Sequence, residues 1–251
     1  AIPIAIWVTL GGSLGFWVGR SNQQPFNQPS ADQTTNSSTV QSVVAKPSVS
    51  LTPAGNWRVD NHVHGLGVNS ANPQVVYVAS HNGLLQRSED GKWYWMGKQR
   101  ADYMGFTADP NNPNRFYSSG HPPTGGNLGF QMSDSQGEDW KQISMPGVDF
   151  HALAIAPSNS ATFYGYPASG AEGLHVSTDG GKTWKRSRME GLGDHPFNLV
   201  VDPQNADQVY AVTQSGLYES HDHGERWTLL PTTQNEPIVG LALQKEGDKT
   251  I

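Results

Sequence analysis

The side chains best suited to chemistry in this sequence are imidazoles that recur at the ends of short apolar segments. Five histidines and one methionine form this set: His62, His64, His81, His121, His151 and Met104. Several neutral imidazoles together with a thioether suit a soft or borderline transition metal, with copper as the first candidate and zinc or nickel after it. Asp102 and Asp149 each precede a member of the set by two residues. They are expected to join the site or to orient its imidazoles as hydrogen-bond acceptors.

Each of these histidines also has a plainer interpretation, in which the ring hydrogen-bonds the backbone of its own loop. For the remaining four histidines, a structural or solvent-exposed role is the stronger expectation. His221 and His223 fall inside an outer turn and are expected to be solvated. His175 is expected to pack within a strand or face solvent. His195, directly before Pro196, is a weaker candidate for the same set as His64 and His151.

A turn motif of the form S-x-D-x-G-x-x-W organises the chain. It is complete at 177–184 and 220–227, has serine in the Asp place at 133–140, and is shortened at 88–93. The complete copies are expected to be structural, through Ser177, Asp179, Gly181, Trp184, Ser220, Asp222, Gly224 and Trp227. The aspartate accepts backbone hydrogen bonds, the glycine supplies a positive φ and the tryptophan packs over the turn. The tryptophans of the last three copies follow at intervals of 44 and 43 residues, a period typical of four-stranded propeller blades.

This motif is that of the Asp-box, or BNR, repeat. From Trp57 onward the chain resembles Asp-box propellers such as sialidases, sortilin-type receptors and the photosystem II assembly propeller. It most resembles exported bacterial propellers labelled glycosyl hydrolases, which carry similar H-x-H-G-L and G-H-P motifs. The resemblance implies an all-β propeller with Asp-box turns on the outer side of each blade. Because the motif lies on the outer turn, it indicates the fold and says little about function.

The repeats predict four complete blades and part of a fifth, so the chain is interpreted as a fragment. Five segments align as innermost strands, with small residues alternating with apolar ones: 64–68, 104–108, 151–155, 197–201 and 239–243. Four aromatic-rich segments align as second strands: 75–79, 115–119, 162–166 and 208–212. A further outer strand is expected at 56–59. In an antiparallel blade, the second strand ends on the side where the first begins. The histidine set is therefore expected at one rim of the central channel.

Composition shifts divide the chain into three parts. Residues 1–20 are apolar up to Arg20 and predict a hydrophobic helix, serving as a transmembrane anchor or a signal segment. Residues 21–55 are rich in Ser, Gln, Asn, Thr and Pro and predict a disordered tether. Residues 56–251 form the predicted propeller. This arrangement predicts a protein of the cell envelope that is extracytoplasmic and either anchored to the membrane or secreted.

Composition and charge exclude several functions. The net charge of −6 argues against nucleic-acid binding, and the absence of cysteine excludes disulfides and thiolate metal ligands. No arginine aligns at the start of an inner strand, where a sialidase would need a cluster to hold its substrate carboxylate. The expected function is a binding or assembly module with a metal at its channel mouth. A sialidase-like glycoside hydrolase and a pure protein-interaction scaffold are the alternatives, with a protein or a glycan as the partner at that mouth. Four aromatic residues near the mouth would either stack on a sugar or plug the channel: Tyr103, Phe150, Tyr166 and Phe197.

Overall fold

The computed structural model describes residues 49–246 and 249–250, and these residues form an all-β fold. The predicted anchor or signal at 1–20 and most of the predicted tether lie outside the described residues. Within the described ranges, no helix has the length and apolar character needed to cross a membrane. Four antiparallel sheets of four or five strands follow one another along the described part of the chain, as expected for propeller blades.

Each sheet is a meander in which consecutive strands pair, and the first sheet has an additional outer strand. The first sheet consists of β1 (Leu51–Pro53), β2 (Val63–Asn69), β3 (Asn72–Ser80), β4 (Gly83–Arg87) and β5 (Trp93–Met96). The second consists of β6 (Asp102–Ala108), β7 (Phe116–His121), β8 (Phe130–Ser133) and β9 (Lys141–Ser144). The third consists of β10 (Asp149–Ala156), β11 (Asn159–Ser169), β12 (His175–Ser177) and β13 (Lys185–Arg186). The fourth consists of β14 (Asn198–Val201), β15 (Val209–Val212), β16 (Leu217–Ser220) and β17 (Thr228–Leu229). A 3-10 turn at Pro231–Thr233 and a short hairpin of β18 (Lys245–Glu246) and β19 (Lys249–Thr250) follow.

The first strands of neighbouring sheets lie side by side, in the order β2, β6, β10 and β14. Small residues permit this close approach. At Gly105, in β6, a Cβ atom would lie 2.3 Å from the carbonyl oxygen of Phe150, in β10. The alternation of small and apolar residues therefore reflects backbones that almost touch near the centre.

The core lies between adjacent sheets and is mainly aromatic. The ring centroids of Tyr117 and Phe163 are 4.6 Å apart, and those of Phe130 and Trp184 are 5.1 Å apart. These four residues belong to one cluster that joins the second sheet to the third. Aromatic residues of the second strands, together with Phe130 and Trp184, thus supply the packing between these two blades.

The complete Asp-box turns are closed by side-chain acceptors. Ser177 Oγ accepts the N–H of Gly181 at 2.9 Å, and Asp179 Oδ1 accepts the N–H of Thr183 at 2.9 Å. The hydroxyl of Thr183, which donates to Asp179, is the largest cause that lowers the pKa of Asp179 to about 2. The turn at Ser220 repeats the two backbone bonds, with 2.9 Å from the N–H of Gly224 to Ser220 Oγ and 2.8 Å from the N–H of Arg226 to Asp222 Oδ1. Both carboxylates are therefore occupied by their own turns.

Two sequence predictions at the beginning of the domain need correction. The disordered tether was expected to reach residue 55, but Leu51–Pro53 form β1 and pair with β5, whose outer edge would otherwise be open. The outer strand expected at 56–59 is instead a turn. Trp57 in that turn packs on Trp93 with ring centroids 4.7 Å apart, and Arg58 lies over the Trp57 ring.

The fifth inner strand expected at 239–243 is also absent from the described part of the structure. No strand within the described ranges hydrogen-bonds to these residues, and Val239 is 89% exposed. Without a pairing partner, an apolar alternation alone does not produce a strand.

We expect Gly181→Ala to destabilise the fold more than Gly180→Ala. Gly181 has a φ of +77° and Gly180 a φ of +79°. Alanine at either position would have to adopt the left-handed conformation, which destabilises the fold by about 1–2 kcal/mol. A Cβ at Gly181 would lie 2.0 Å from Phe130 Cε1, whereas nothing lies within 4 Å at Gly180. The crowding adds about 1–3 kcal/mol at Gly181 alone. Urea unfolding of both variants measures the difference, and equal losses would contradict the packing of this turn on Phe130.

Candidate functional site: a histidine–aspartate rim

The antiparallel strand order brings the histidine set to one rim. His64 and His151 lie near the starts of the first strands β2 and β10, while His121 ends the second strand β7. Asp102 is the register partner of His121 across β6 and β7. The N–H of His81, just after β3, donates to the carbonyl oxygen of His62 at 2.9 Å. The starts of first strands and the ends of second strands therefore meet at one edge.

Two of these histidines occupy β-bulges. The β2–β3 register shifts between Val63 and Gly65, so His64 is the extra residue of that bulge. The β10–β11 register shifts between Phe150 and Ala152, which makes His151 the extra residue there. A bulge leaves one residue unpaired and redirects its side chain, a feature common beside functional sites.

Met104, the aligned residue in β6, differs from these two histidines. It pairs in register with Ser119, and the shift in β6 comes after it, between Met104 and Thr107. Met104 is 8% exposed and belongs to the buried core. Alignment of the internal repeats gives Met104 the same strand position as His64 and His151. The bulge that redirects the two histidines is absent at Met104.

The first group of ligand-type atoms, which we call the His64 cluster, consists of His64, His81 and Asp102. His64 Nε2 lies 3.1 Å from Asp102 Oδ1, and His81 Nδ1 lies 2.7 Å from Asp102 Oδ2. The carboxylate comes from the second sheet and both imidazoles come from the first. The ring of His62 is nearby, with its centroid 6.3 Å from that of His81.

The contact between His64 and Asp102 is close without being a hydrogen bond. Both His64 Nε2 and Asp102 Oδ1 are buried atoms with no hydrogen-bond partner. Buried polar atoms are nearly always paired, so an imidazole nitrogen and a carboxylate oxygen left unsatisfied together are unusual. In the tautomer that carries its hydrogen on Nδ1, His64 Nε2 and Asp102 Oδ1 both offer lone pairs to a third species placed between them.

The second group, which we call the His121 cluster, consists of His121, Asp149 and His151. Asp149 Oδ2 lies 2.7 Å from His151 Nε2 and 3.0 Å from His121 Nε2. The side chain of Asp149 is 2% exposed, and its Oδ1 is buried with no partner. Both aspartates were expected to act as ligands or to orient imidazoles from behind. In the structure, each carboxylate faces two imidazoles directly.

The charges of the two clusters act on each other. Burial lowers the pKa of His64, and this outweighs the opposite effect of Asp102, while His81, His151 and His62 lower it further. The hydrogen bond with Asp149 raises the pKa of His151, with the charge of Asp102 contributing in the same direction. His64 is therefore held neutral near pH 7, the form that offers a lone pair to a metal.

Two cavities adjoin the clusters. One, of about 440 Å³, is lined by His64 and His151 together with apolar inner-strand residues such as Leu153 and Leu199. The other, of about 450 Å³, is lined by His81, Asp102 and His121. Residues of both clusters thus border space that is large enough for an ion or a small ligand.

The other residues considered from the sequence lie elsewhere or are engaged. His175 is buried and its Nδ1 donates to the carbonyl oxygen of Gly173 at 2.9 Å. His195 contacts the hydroxyl of Tyr166. His221 and His223 sit beside carboxylates in the outer turn, those of Glu219 and Asp207 respectively.

The aromatic residues divide between core and surface. Tyr103 and Phe150 are fully buried and therefore serve the core rather than a sugar platform. Phe197 is exposed, and Tyr166 is half-buried.

Comparison with known proteins agrees with the architecture. The BNR/Asp-box repeat model matches residues 175–186. No curated protein matches the chain. Among solved structures, an ancestral GH74 enzyme matches with 20% identity and a TM-score of 0.50, over 67% of this chain and 24% of that one.

Two further solved structures are similar in fold. A gluconolactonase from Xanthomonas campestris matches with 13% identity and a TM-score of 0.51, over 68% of this chain and 63% of that one. An auxiliary nutrient binding protein from Bacteroides thetaiotaomicron matches with 10% identity and a TM-score of 0.52, over 69% and 42%. This chain spans less than two thirds of each of these proteins, and at such identities the likeness concerns the fold alone. The sheets, the repeated turns and these matches together identify the chain as an all-β protein of propeller-type blades that carries the BNR/Asp-box repeat.

Proposed function

We propose that this protein is an extracytoplasmic binding module whose histidine–aspartate rim holds a transition-metal ion. The observation that carries the proposal is the close approach of His64 Nε2 and Asp102 Oδ1, two buried atoms 3.1 Å apart that lack any hydrogen-bond partner. A cation between them would satisfy both. His81 Nδ1, on the other oxygen of Asp102, supplies a third donor.

The distances support an ion after a small adjustment. Zinc binds imidazole nitrogen and carboxylate oxygen at about 2.0–2.2 Å, so neighbouring ligand atoms at a tetrahedral site are about 3.4 Å apart. The two nitrogen–oxygen distances in the His64 cluster are 3.1 and 2.7 Å. Opening these two distances by about 0.3 and 0.7 Å would admit the ion. The side chain of His81 is 58% exposed, which leaves room for that movement.

The donor set favours a borderline transition metal. Two imidazoles and a carboxylate suit copper, zinc or nickel, and the general affinity order places Cu²⁺ first. Met104 is part of the core, so the preference for copper rests on this order rather than on a thioether. His62 is near enough to His81 to serve as a further imidazole donor after a rotation of its ring.

The proposed extracytoplasmic location rests on features of the sequence. Residues 1–20 have the apolar composition of an anchor or a signal segment, and the repeat region resembles exported propellers. Proteins of similar fold also support a binding role, because they include a nutrient binding protein as well as enzymes. A protein or a glycan at the rim remains the proposed partner class.

The contacts of the two aspartates favour metal binding over glycoside hydrolysis. A hydrolase of the usual kind needs two carboxyl groups that are free to act on one substrate. Asp102 and Asp149, the carboxylates of the two clusters, each already contact two imidazoles. Hydrolysis of a broad panel of fluorogenic glycosides by the metal-free protein would favour the enzyme alternative.

We expect His64→Gln to weaken metal binding at the His64 cluster by more than about 100-fold, since loss of even an outer partner costs 10–100-fold. The full chain, purified without a histidine tag and stripped with EDTA, is titrated with Cu²⁺ or Zn²⁺ against a chromogenic chelator. His221→Gln is the matched control, because His221 is an exposed histidine beside a carboxylate on the outer turn. If the two variants lose the same affinity, the rim is not the site.

We also expect bound metal to raise the thermal midpoint. An ion that binds the folded state alone, at 100 times its dissociation constant, adds about 2.7 kcal/mol of stability. For a domain of this size that corresponds to a rise of about 5–10 °C. Thermal unfolding followed by circular dichroism with Zn²⁺, and again after EDTA, measures the shift. A midpoint unchanged by Zn²⁺ would contradict specific binding to the folded state.

A further inference from the structure

We infer that the rim carries two separate metal sites, the second being the His121 cluster of His121, Asp149 and His151. The inference rests on the proposed function, because it assumes that the His64 cluster binds a metal. The ligand-type atoms of the rim fall into two groups with no residue in common, and within each group they all lie within 4.8 Å of one another.

The carboxylate of the second site is unusually deep. Asp149 has a side chain that is 2% exposed, yet one of its oxygens has no hydrogen-bond partner. An ionised carboxylate at such depth costs several kcal/mol unless a cation compensates it. His151 and His121, at 2.7 and 3.0 Å from its other oxygen, are the cationic-type groups that contact it among the described residues.

The orientation of His121 argues for a cation between the ring and the carboxylate. Its Nδ1 lies 3.3 Å from the carbonyl oxygen of Gly126, which can only accept, so Nδ1 carries the hydrogen. In the neutral ring, Nε2 then presents a lone pair towards Asp149 Oδ2 at 3.0 Å. Two acceptors would face each other unless a metal ion lies between them or Nε2 takes up a proton and the imidazolium donates to the carboxylate. A backbone carbonyl that fixes the tautomer in this way is typical of metal-bound histidine.

The two sites are related by the blade repeat. In each, the aspartate at the start of a first strand receives a histidine from the end of the preceding sheet's second strand: His81 for Asp102, and His121 for Asp149. The third donor is His64 from the preceding sheet at the first site, and His151 from the same sheet at the second. Both of these are bulge residues. Two of the three donor positions thus recur at consecutive sheet junctions, whereas the third donor comes from a different side of each junction.

The next sheet breaks the series. His195 takes the aligned position before β14, and its ring contacts the hydroxyl of Tyr166 instead of a carboxylate. Tyr166 lies on β11, in the preceding sheet. At the junction between the third and fourth sheets a histidine thus replaces the aligned aspartate, and the nearby Asp194 accepts the backbone N–H of His195. Among the described residues only the two clusters bring three ligand-type atoms together, so the expected number of ions is two.

The test is the number of ions bound by the full chain and by single variants. EDTA-stripped protein is equilibrated with Zn²⁺, dialysed against metal-free buffer and analysed by elemental mass spectrometry. The variants are His64→Gln, His121→Gln, the double variant and the outer-turn control His221→Gln. Circular dichroism in EDTA confirms that each variant is folded before its metal is counted.

We expect two ions for the wild type and for His221→Gln, one for each single rim variant and none for the double variant. One ion in the wild type that is lost in His64→Gln but kept in His121→Gln would overturn the second site and leave the proposed function standing. One ion lost in both single variants would mean a single shared site, which also overturns the inference. No ion in the wild type would refute the inference and the proposed function together.

Discussion

The close contact between the first strands of neighbouring sheets is the constraint on which the rim depends. At Gly105 the backbones of β6 and β10 approach so closely that a single Cβ would strike the carbonyl oxygen of Phe150. That proximity brings a carboxylate from one sheet within bonding distance of imidazoles from the sheet before it. A wider spacing would leave the same side chains in separate loops, where each would be solvated independently.

Residue spacing and antiparallel order were enough to predict the all-β blades, the outer turns and the shared edge of the histidines. They were not enough to predict which residues leave the strand register. His64 and Met104 align in sequence, but a bulge isolates His64 whereas Met104 keeps a partner. Bulges depend on pairing with the neighbouring strand, which a single sequence does not encode locally. Antiparallel order placed Asp149 and His121 at the same rim, and the spacing D-x-H linked Asp149 to His151. The sequence did not indicate that one carboxylate would contact both imidazoles.

The same residue type has opposite roles at the two ends of a blade. Asp179, in an outer turn, accepts backbone hydrogen bonds from its own loop, and these lower its pKa to about 2. Asp149, at the inner rim, is buried and keeps an oxygen without a partner. The first carboxylate stabilises the blade locally, whereas the second adds an electrostatic cost that the fold does not require. Buried polar groups that lack hydrogen-bond partners in an otherwise well-satisfied structure commonly mark functional sites.

This separation explains why the repeat motif identifies the architecture without identifying the activity. The Asp-box carboxylates are consumed by their turns, and proteins that share such blades therefore share stability determinants on the outer side. Function depends on residues at the inner rim, where strand ends from successive sheets meet and where substitutions leave the turns intact. In this chain those positions hold imidazoles and carboxylates at two consecutive sheet junctions and a tyrosine–histidine contact at the third. The side chains at the rim therefore differ from one sheet junction to the next, although the blades repeat. Activity has to be assigned from the residues at the inner rim rather than from the Asp-box motif.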